Sequence, residues 1–244
     1  MEGGVIIITG ANNGIGLGLA RALHQHGWRV AGLDLTTENL DGMRSIVCDV
    51  TDPEQTASAI KQIVETWGKI DVLVNNACLA LFSPFGDKSV EELRREMEVN
   101  YFGYVNMIRA VLPQMKSQGS GVIHNVSSTV GVTGFEGLSG YGSAKGAIES
   151  LSRTLAIEFE KYGIVVNLIH PPLTRTKSSA PLGIPAGFMA DAEKVGRKLA
   201  QKIGSVKGVI APGVVEISGV FAARMFPLVM GKFMSKKAAK TRKS

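Results

Sequence analysis

An α/β fold, with a parallel sheet covered by helices on both faces, is what this 244-residue sequence predicts. Three observations carry it. Short apolar runs alternate strictly with longer helical patterns, the order that builds a parallel sheet. The apolar runs lack the polar alternation of a half-exposed strand, which fits burial on both sides. A glycine-rich loop joins the first run to the first helical stretch.

The elements follow in order. VIIIT (5–9) is the first strand, leading through glycines into IGLGLARALHQHG. WRVAGLDL (28–35) is a second strand ending in an acid, and SIVCDV (45–50) a third. DPEQTASAIKQIVETWG (52–68) has helix chemistry, with Asp52 as cap, Pro53 in the first turn and Gly68 at the end. IDVLVNN (70–76) is a fourth strand. Residues 89–119 read as one long helix, bent near Pro113. GVIHNVSS (121–128) is a fifth strand, 141–163 a helix closed by Gly163, and IVVNLIHPP (164–172) a sixth strand. GVIAPGVVEI (208–217) supplies a seventh strand and a turn.

A chain of this length, 45% hydrophobic and 20% charged, can bury one sizeable core and is not generally disordered. Residues 1–217 are expected to form the catalytic unit, with 218–244 an apolar and then basic tail. The net charge of +6 conceals an asymmetry. Seven bases and no acids follow Glu216, so the preceding residues carry 20 bases and 21 acids. A nearly neutral body argues against nucleic acid as a partner, and KKAAKTRKS lacks the aromatics of a stacking platform. Two cysteines, Cys48 and Cys78, are too few for a disulfide framework or a zinc cluster, so no metal is expected. The first apolar run lacks a basic leader, and no stretch approaches the roughly 20 residues that span a bilayer. The expected location is cytoplasmic, or peripheral at a membrane surface.

TGANNGIG (9–16) sits after a strand and opens a helix. In that setting Gly10, Gly14 and Gly16 permit a tight turn and a close backbone approach to a pyrophosphate at the helix N-terminus. Asp34 ends the second strand, where a carboxylate accepts from ribose hydroxyls and repels a 2′-phosphate. With Asn13 and Leu35 neutral beside it, NAD is favoured over NADP. The alternative is a surface acid or helix cap.

YGSAK (141–145) places Tyr141 and Lys145 four apart, one above the other on a helix. A free tyrosine, with a pKa of about 10, is a poor base at neutral pH. An ammonium one turn away favours the phenolate and is expected to lower that value. The bland alternative is an exposed pair on a solvated helix.

Taken together, TGANNGIG, Asp34, Asp49-Val50, NNAC (75–78), Asn100, NVSS (125–128), YGSAK and VNLIHPP with Thr176 resemble the short-chain dehydrogenase/reductase family in order over residues 5 to 176. The resemblance implies a single-domain Rossmann fold, with a seven-stranded parallel sheet in the order 3-2-1-4-5-6-7. It implies a catalytic set of Asn100, Ser128, Tyr141 and Lys145. Tyr141 would exchange the proton, Lys145 also hold the nicotinamide ribose, Ser128 orient the substrate oxygen, and Asn100 keep a water in the relay. The cofactor would meet Gly10, Asn13, Gly14, Ile15, Gly16, Asp34, Asp49, Val50, Asn76, Ala77, Pro171, Thr174 and Thr176, with Asn75 also on the adenosine side. Homo-oligomers built through the two long helices are also implied. Two positions depart from the family pattern: Cys78 and Pro172 stand where glycine is usual, and Pro172 stiffens the loop beside the nicotinamide.

The same resemblance makes residues 177–204 a substrate lid. Its Leu182 and Phe188, with Phe135 near the same mouth, are the expected substrate contacts together with Ser128 and Tyr141. Apolar residues there suit a hydrophobic, lipid- or steroid-like alcohol or ketone. For the tail, one reading is peripheral membrane contact, the other packing on its own domain or a partner subunit. The expected activity is NAD-dependent interconversion of a secondary alcohol and its ketone or aldehyde. The competing readings are an NAD(P)H-dependent carbonyl reductase of small metabolites and a nicotinamide-binding regulatory protein with little turnover.

Overall fold

Seven parallel strands form the central sheet of the computed structural model, which describes residues 3–241, with side chains through residue 239. The Lys240 side chain, Arg242 and Lys243 of the basic end lie outside the described residues. The strands are β1 (Val5–Thr9), β2 (Arg29–Asp34), β3 (Arg44–Val47), β4 (Val72–Asn75), β5 (Gly121–Val126), β6 (Ile164–Ile169) and, at the far edge, β9 (Val209–Ile210). Their order is β3-β2-β1-β4-β5-β6-β9, the expected one, with β9 as seventh strand. β7 (Thr174–Arg175) and β8 (Ala190–Asp191) form a separate two-stranded pair.

Along β1, Val5 and Ile7 belong to one core layer, and Ile6 and Ile8 to the other. All four are fully buried, which is why VIIIT shows no polar alternation. The Ile7 layer holds α2 (Pro53–Trp67), α4 (Gly103–Gln118) and part of α6 (Ser139–Phe159) through Ile63, Met107 and Phe159. The Ile6 layer holds α1 (Gly14–Gln25) and α7 (Ala192–Ala200) through Leu19, Leu23, Val195 and Leu199. The chain runs outward from β1 to β3 on one side and from β4 to β9 on the other. The crevice above the carboxyl ends of β1 and β4 is therefore the switch point where ligands bind in such sheets.

The helix ends obey local chemistry. Asp52 accepts from the backbone N–H of Glu54 and Gln55, Pro53 opens α2, and Gly68 closes it at φ 71°. The region read as one long helix is two. α3 (Val90–Met97) starts on a Ser89–Glu92 capping box, and a π-helical turn at Glu98–Phe102 separates it from α4. The break lies at Asn100, while α4 continues through Pro113. The reason is the Asn100 amide, which donates to the carbonyls of Glu96 (2.8 Å) and Leu79 (2.6 Å) and accepts from Leu79 N–H (3.2 Å). Side-chain competition of this kind opens a helical ladder. α6 begins at Ser139, two residues before Tyr141.

Beyond β9 the expected strand and turn give way to α8 (Val214–Met225), which runs across residue 217, and α9 (Pro227–Thr241) follows. No single helix is long and apolar enough to cross a membrane. Among the described residues, no three His, Cys, Asp or Glu side chains stand together as a metal site.

Candidate active site

A cavity of about 940 Å³ opens above the β1–β4 crevice and continues under residues 177–188. One end is built mainly from backbone. Gly10 and Gly14 hold positive φ of 63° and 58°. A Cβ on Gly10 would lie 2.8 Å from Ala77 Cα, and one on Gly16 would lie 2.2 Å from the Gly10 carbonyl oxygen. Only glycine fits either place. Asn76 donates from its side-chain amide to the carbonyls of Thr9 (2.9 Å) and Gly10 (3.0 Å), holding the loop against β4. Asp34 accepts from the N–H of Asn12 and of Leu35, each at 2.8 Å, and retains lone pairs toward the cavity. Asn13, Ile15, Asp49, Val50 and Ala77 also line this end. Gly16 lies beneath the loop. Asn75 is absent from the wall, because its amide donates to Asn125 inside the sheet at 2.9 Å. A glycine cradle, a helix N-terminus and a carboxylate at the end of β2 fit a dinucleotide.

Ser128, Tyr141 and Lys145 share the middle of the cavity. Ser128 lies just before α5 (Val130–Thr133), where its Oγ accepts from Val130 N–H at 3.2 Å, and it also hydrogen-bonds Tyr141. Lys145 is buried, and its Nζ donates to Tyr104 Oη at 2.9 Å and to the Val126 carbonyl at 2.8 Å. Burial pulls its pKa down to about 8. Tyr104, in α4, donates to the same Val126 carbonyl at 3.1 Å.

The expected lowering of the Tyr141 pKa is corrected here. Burial, with Cys78 nearby, raises it well above a free tyrosine's, and the Ser128 hydrogen bond only partly offsets this. The ammonium lies 5.7 Å from the Tyr141 ring centre and is engaged by Tyr104 and Val126. Asn100 does not reach the cavity, because its amide is used on Leu79 and Glu96.

Pro171, Pro172, Thr174 and Thr176 frame the loop after β6. Thr174 Oγ1 donates to the Pro172 carbonyl at 2.7 Å, and Ser179 Oγ donates to the Thr174 carbonyl at 2.7 Å. Ser179 thus knots the start of this segment, and the expected 177–204 lid is cut short: Ala192–Ala200 form α7, whose Val195 and Leu199 are buried in the core beside α1. The apolar end of the cavity is lined by Phe82, Phe135, Leu182 and Phe188, and by Met234 and Ala238 from the tail. Met234 and Ala238 belong to α9, so the tail forms a wall of the cavity. It packs on its own domain: Glu136 N–H donates to Ser235 Oγ at 3.1 Å, and Gly231 sits so close that a Cβ would meet the Thr133 carbonyl at 2.4 Å.

Behind this wall is a buried ionic cluster. Glu149, one turn beyond Lys145 on α6, has Oε1 2.7 Å from His170 Nε2 and Oε2 2.8 Å from Arg224 Nη2 of α8. Burial alone would raise the Glu149 pKa, but His170, Ser127 and Arg224 more than offset it and hold the value at about 2. Neither this cluster nor Tyr104 is visible as a motif, since the partners lie 41 and 75 residues apart.

A parallel sheet with a glycine-rich turn at its switch point thus stands beside a Ser, Tyr and Lys group in one cavity. The model of the short chain dehydrogenase family matches residues 4–184. The chain is 37% identical over 172 residues to the 3-ketodihydrosphingosine reductase of Bacteroides thetaiotaomicron, spanning 70% of this chain and 64% of that protein. It is 35% identical over 182 residues to the 3-alpha-(or 20-beta)-hydroxysteroid dehydrogenase of Mycobacterium bovis, spanning 71% and 70%. A short-chain dehydrogenase structure from Streptomyces avermitilis, 29% identical, superposes with a TM-score of 0.79 over 97% of this chain and 98% of that one. The chain belongs to the short-chain dehydrogenase/reductase family, whose oxidoreductases use NAD or NADP.

Proposed function

We propose that this protein is an NAD-dependent dehydrogenase that interconverts a hydrophobic secondary alcohol and its ketone. The observation that carries the reading is the single cavity that joins Asp34 at one end to Ser128, Tyr141 and Lys145 in the middle and an apolar chamber at the other. NAD, when bound, supplies the hydride acceptor. Gly10 to Gly16 and Asp34 would hold its pyrophosphate and adenosine ribose, with Asp49 and Val50 beside the adenine. The Asp34 carboxylate disfavours a 2′-phosphate, and Leu35 after it offers no offsetting charge.

Tyr141, kept neutral by burial, is suited to give its proton to a carbonyl oxygen in the reductive direction. In the oxidative direction it takes the hydroxyl proton, which requires the phenolate. Turning Lys145 from Tyr104 toward the phenol would favour that form. Ser128 orients the substrate oxygen, and Asn100 acts through the backbone geometry it imposes between α3 and α4. Phe82, Phe135, Leu182, Phe188 and Met234 exclude water and favour an apolar substrate. The names of the sphingosine and steroid relatives support a lipid-like hydroxyl compound. Assembly of copies through α4 and α6 is part of the proposal.

The test is NADH formation from NAD across secondary alcohols, from short aliphatics to hydroxysteroids and long-chain amino alcohols, with wild type and Tyr141→Phe. Turnover rising with apolar size and abolished in the variant is the expected result. Turnover confined to short polar alcohols would overturn the substrate class, and an active variant would overturn the role of Tyr141.

A further inference from the structure

α8 and α9 turn their small residues inward and their large apolar residues outward. Val220 and Ala223 of α8 and Gly231 and Ala238 of α9 are buried. Val214, Phe221 and Met225 of α8, and Leu228, Val229 and Phe233 of α9, are 58 to 81% exposed. With Ile217, the α8 residues recur at helical spacing, so the exposed stripe is continuous rather than scattered. The pose is fixed from within, by Arg224 on Glu149, Ser235 under the Glu136 N–H and Gly231 against Thr133. An outward apolar stripe on an anchored helix pair is a surface awaiting a partner.

The charges choose the partner. Lys232 and Lys236 are exposed beside Phe233 and Val229 on the same face of α9, and no acid follows Glu216 in the sequence. A second copy docking through a twofold axis would bring this patch against itself, with no carboxylate after Glu216 in either copy to meet the lysines. An anionic lipid surface satisfies both features at once, taking the apolar side chains between its headgroups and the lysines at its phosphates. We propose that α8 and α9 dock the protein on the surface of an anionic bilayer. Met234 and Ala238 on the inner face of α9 line the cavity, so the docked helix would stand at the entrance for a substrate dissolved in lipid. That last clause rests on the hydrophobic-substrate reading, whereas docking itself does not.

The test uses the full chain with vesicles of phosphatidylcholine, alone or with phosphatidylserine, in a sedimentation assay at low and high salt. Variants are Phe221→Ser with Phe233→Ser, and Lys232→Gln with Lys236→Gln. Fluorescence of bound NADH establishes that each is folded, and no turnover is needed. The expected result is binding to phosphatidylserine vesicles at low salt that weakens about 5-fold per lysine removed. Binding should also weaken at high salt and be lost in the double Phe variant. Folded wild type that stays in the supernatant with phosphatidylserine vesicles would overturn the proposal, as would binding indifferent to both variants. Size-exclusion chromatography showing that the Phe variant dissociates an oligomer, without vesicle binding by wild type, would assign the face to a second copy instead.

Discussion

Lowering the pH from 7 to 5 should destabilise this protein through one buried side chain, His124 in β5. Its Nε2 accepts from Gly204 N–H at 3.1 Å, so the proton sits on Nδ1 and is donated to Asn167 Oδ1. A second proton would face an N–H donor in a fully buried site. Burial holds the pKa at about 4, against 6.5 for an exposed histidine, and the Asn167 contact offsets this only in part. The folded value is lower, so the unfolded chain binds the proton first. Stability is therefore complete above pH 6.5 and is lost as the pH falls toward 4. Between pH 7 and 5 the loss is about 2 kcal/mol. Glu149 has the same sign, but its window opens only below about pH 4.5, the usual carboxylate value, and closes near 2. It contributes a few tenths of a kcal/mol at most above pH 5. For a chain of this size, 2 kcal/mol lowers Tm by about 4 °C. Thermal unfolding followed by circular dichroism at pH 7, 6 and 5, for wild type and His124→Gln, measures it. A wild-type Tm that does not move, or a variant with the wild-type slope, would refute the reasoning.

Gly16→Ala puts a Cβ 2.2 Å from the Gly10 carbonyl, and the loop has to shift. Overpacking of this kind costs about 1–3 kcal/mol, so NADH binding by fluorescence titration should weaken by about 10-fold or more. Tyr104→Phe removes one of the two acceptors that hold the buried Lys145 ammonium. A lost hydrogen bond to a charged group of about 1.5–3 kcal/mol should lower the Tm of the cofactor-free protein by several degrees, and an unchanged Tm would show that the contact carries no weight.

What could be foreseen from the sequence was local. The phosphate loop, Asp34 and the YGSAK turn declare themselves because glycine, acid and Tyr–Lys spacings are fixed by elements only a few residues long. The α2 caps at Asp52 and Gly68 were legible for the same reason. The chemistry that depends on distant partners was not. Lys145 is held by Tyr104 from another helix, and Glu149 by Arg224 from a third, and no spacing encodes either contact. The helix break at Asn100 was missed because Pro113 is the visible breaker, whereas the actual cause is an amide that prefers Leu79 in the preceding loop. The expected effect of Lys145 on Tyr141 failed because helical spacing fixes which side chains are neighbours and says nothing of which acceptor an ammonium selects.

The two ends of the cavity are written into the chain differently. The nucleotide end depends on backbone conformation and glycine contacts within residues 10–16, with a few polar anchors. The apolar end is assembled from side chains at 82, 135, 182, 188, 234 and 238, which belong to separate segments. A single substitution at any of these can reshape the chamber while the cradle stays intact. Descendants of this gene could therefore exchange one substrate for another in small, viable steps, with the coenzyme inherited unchanged.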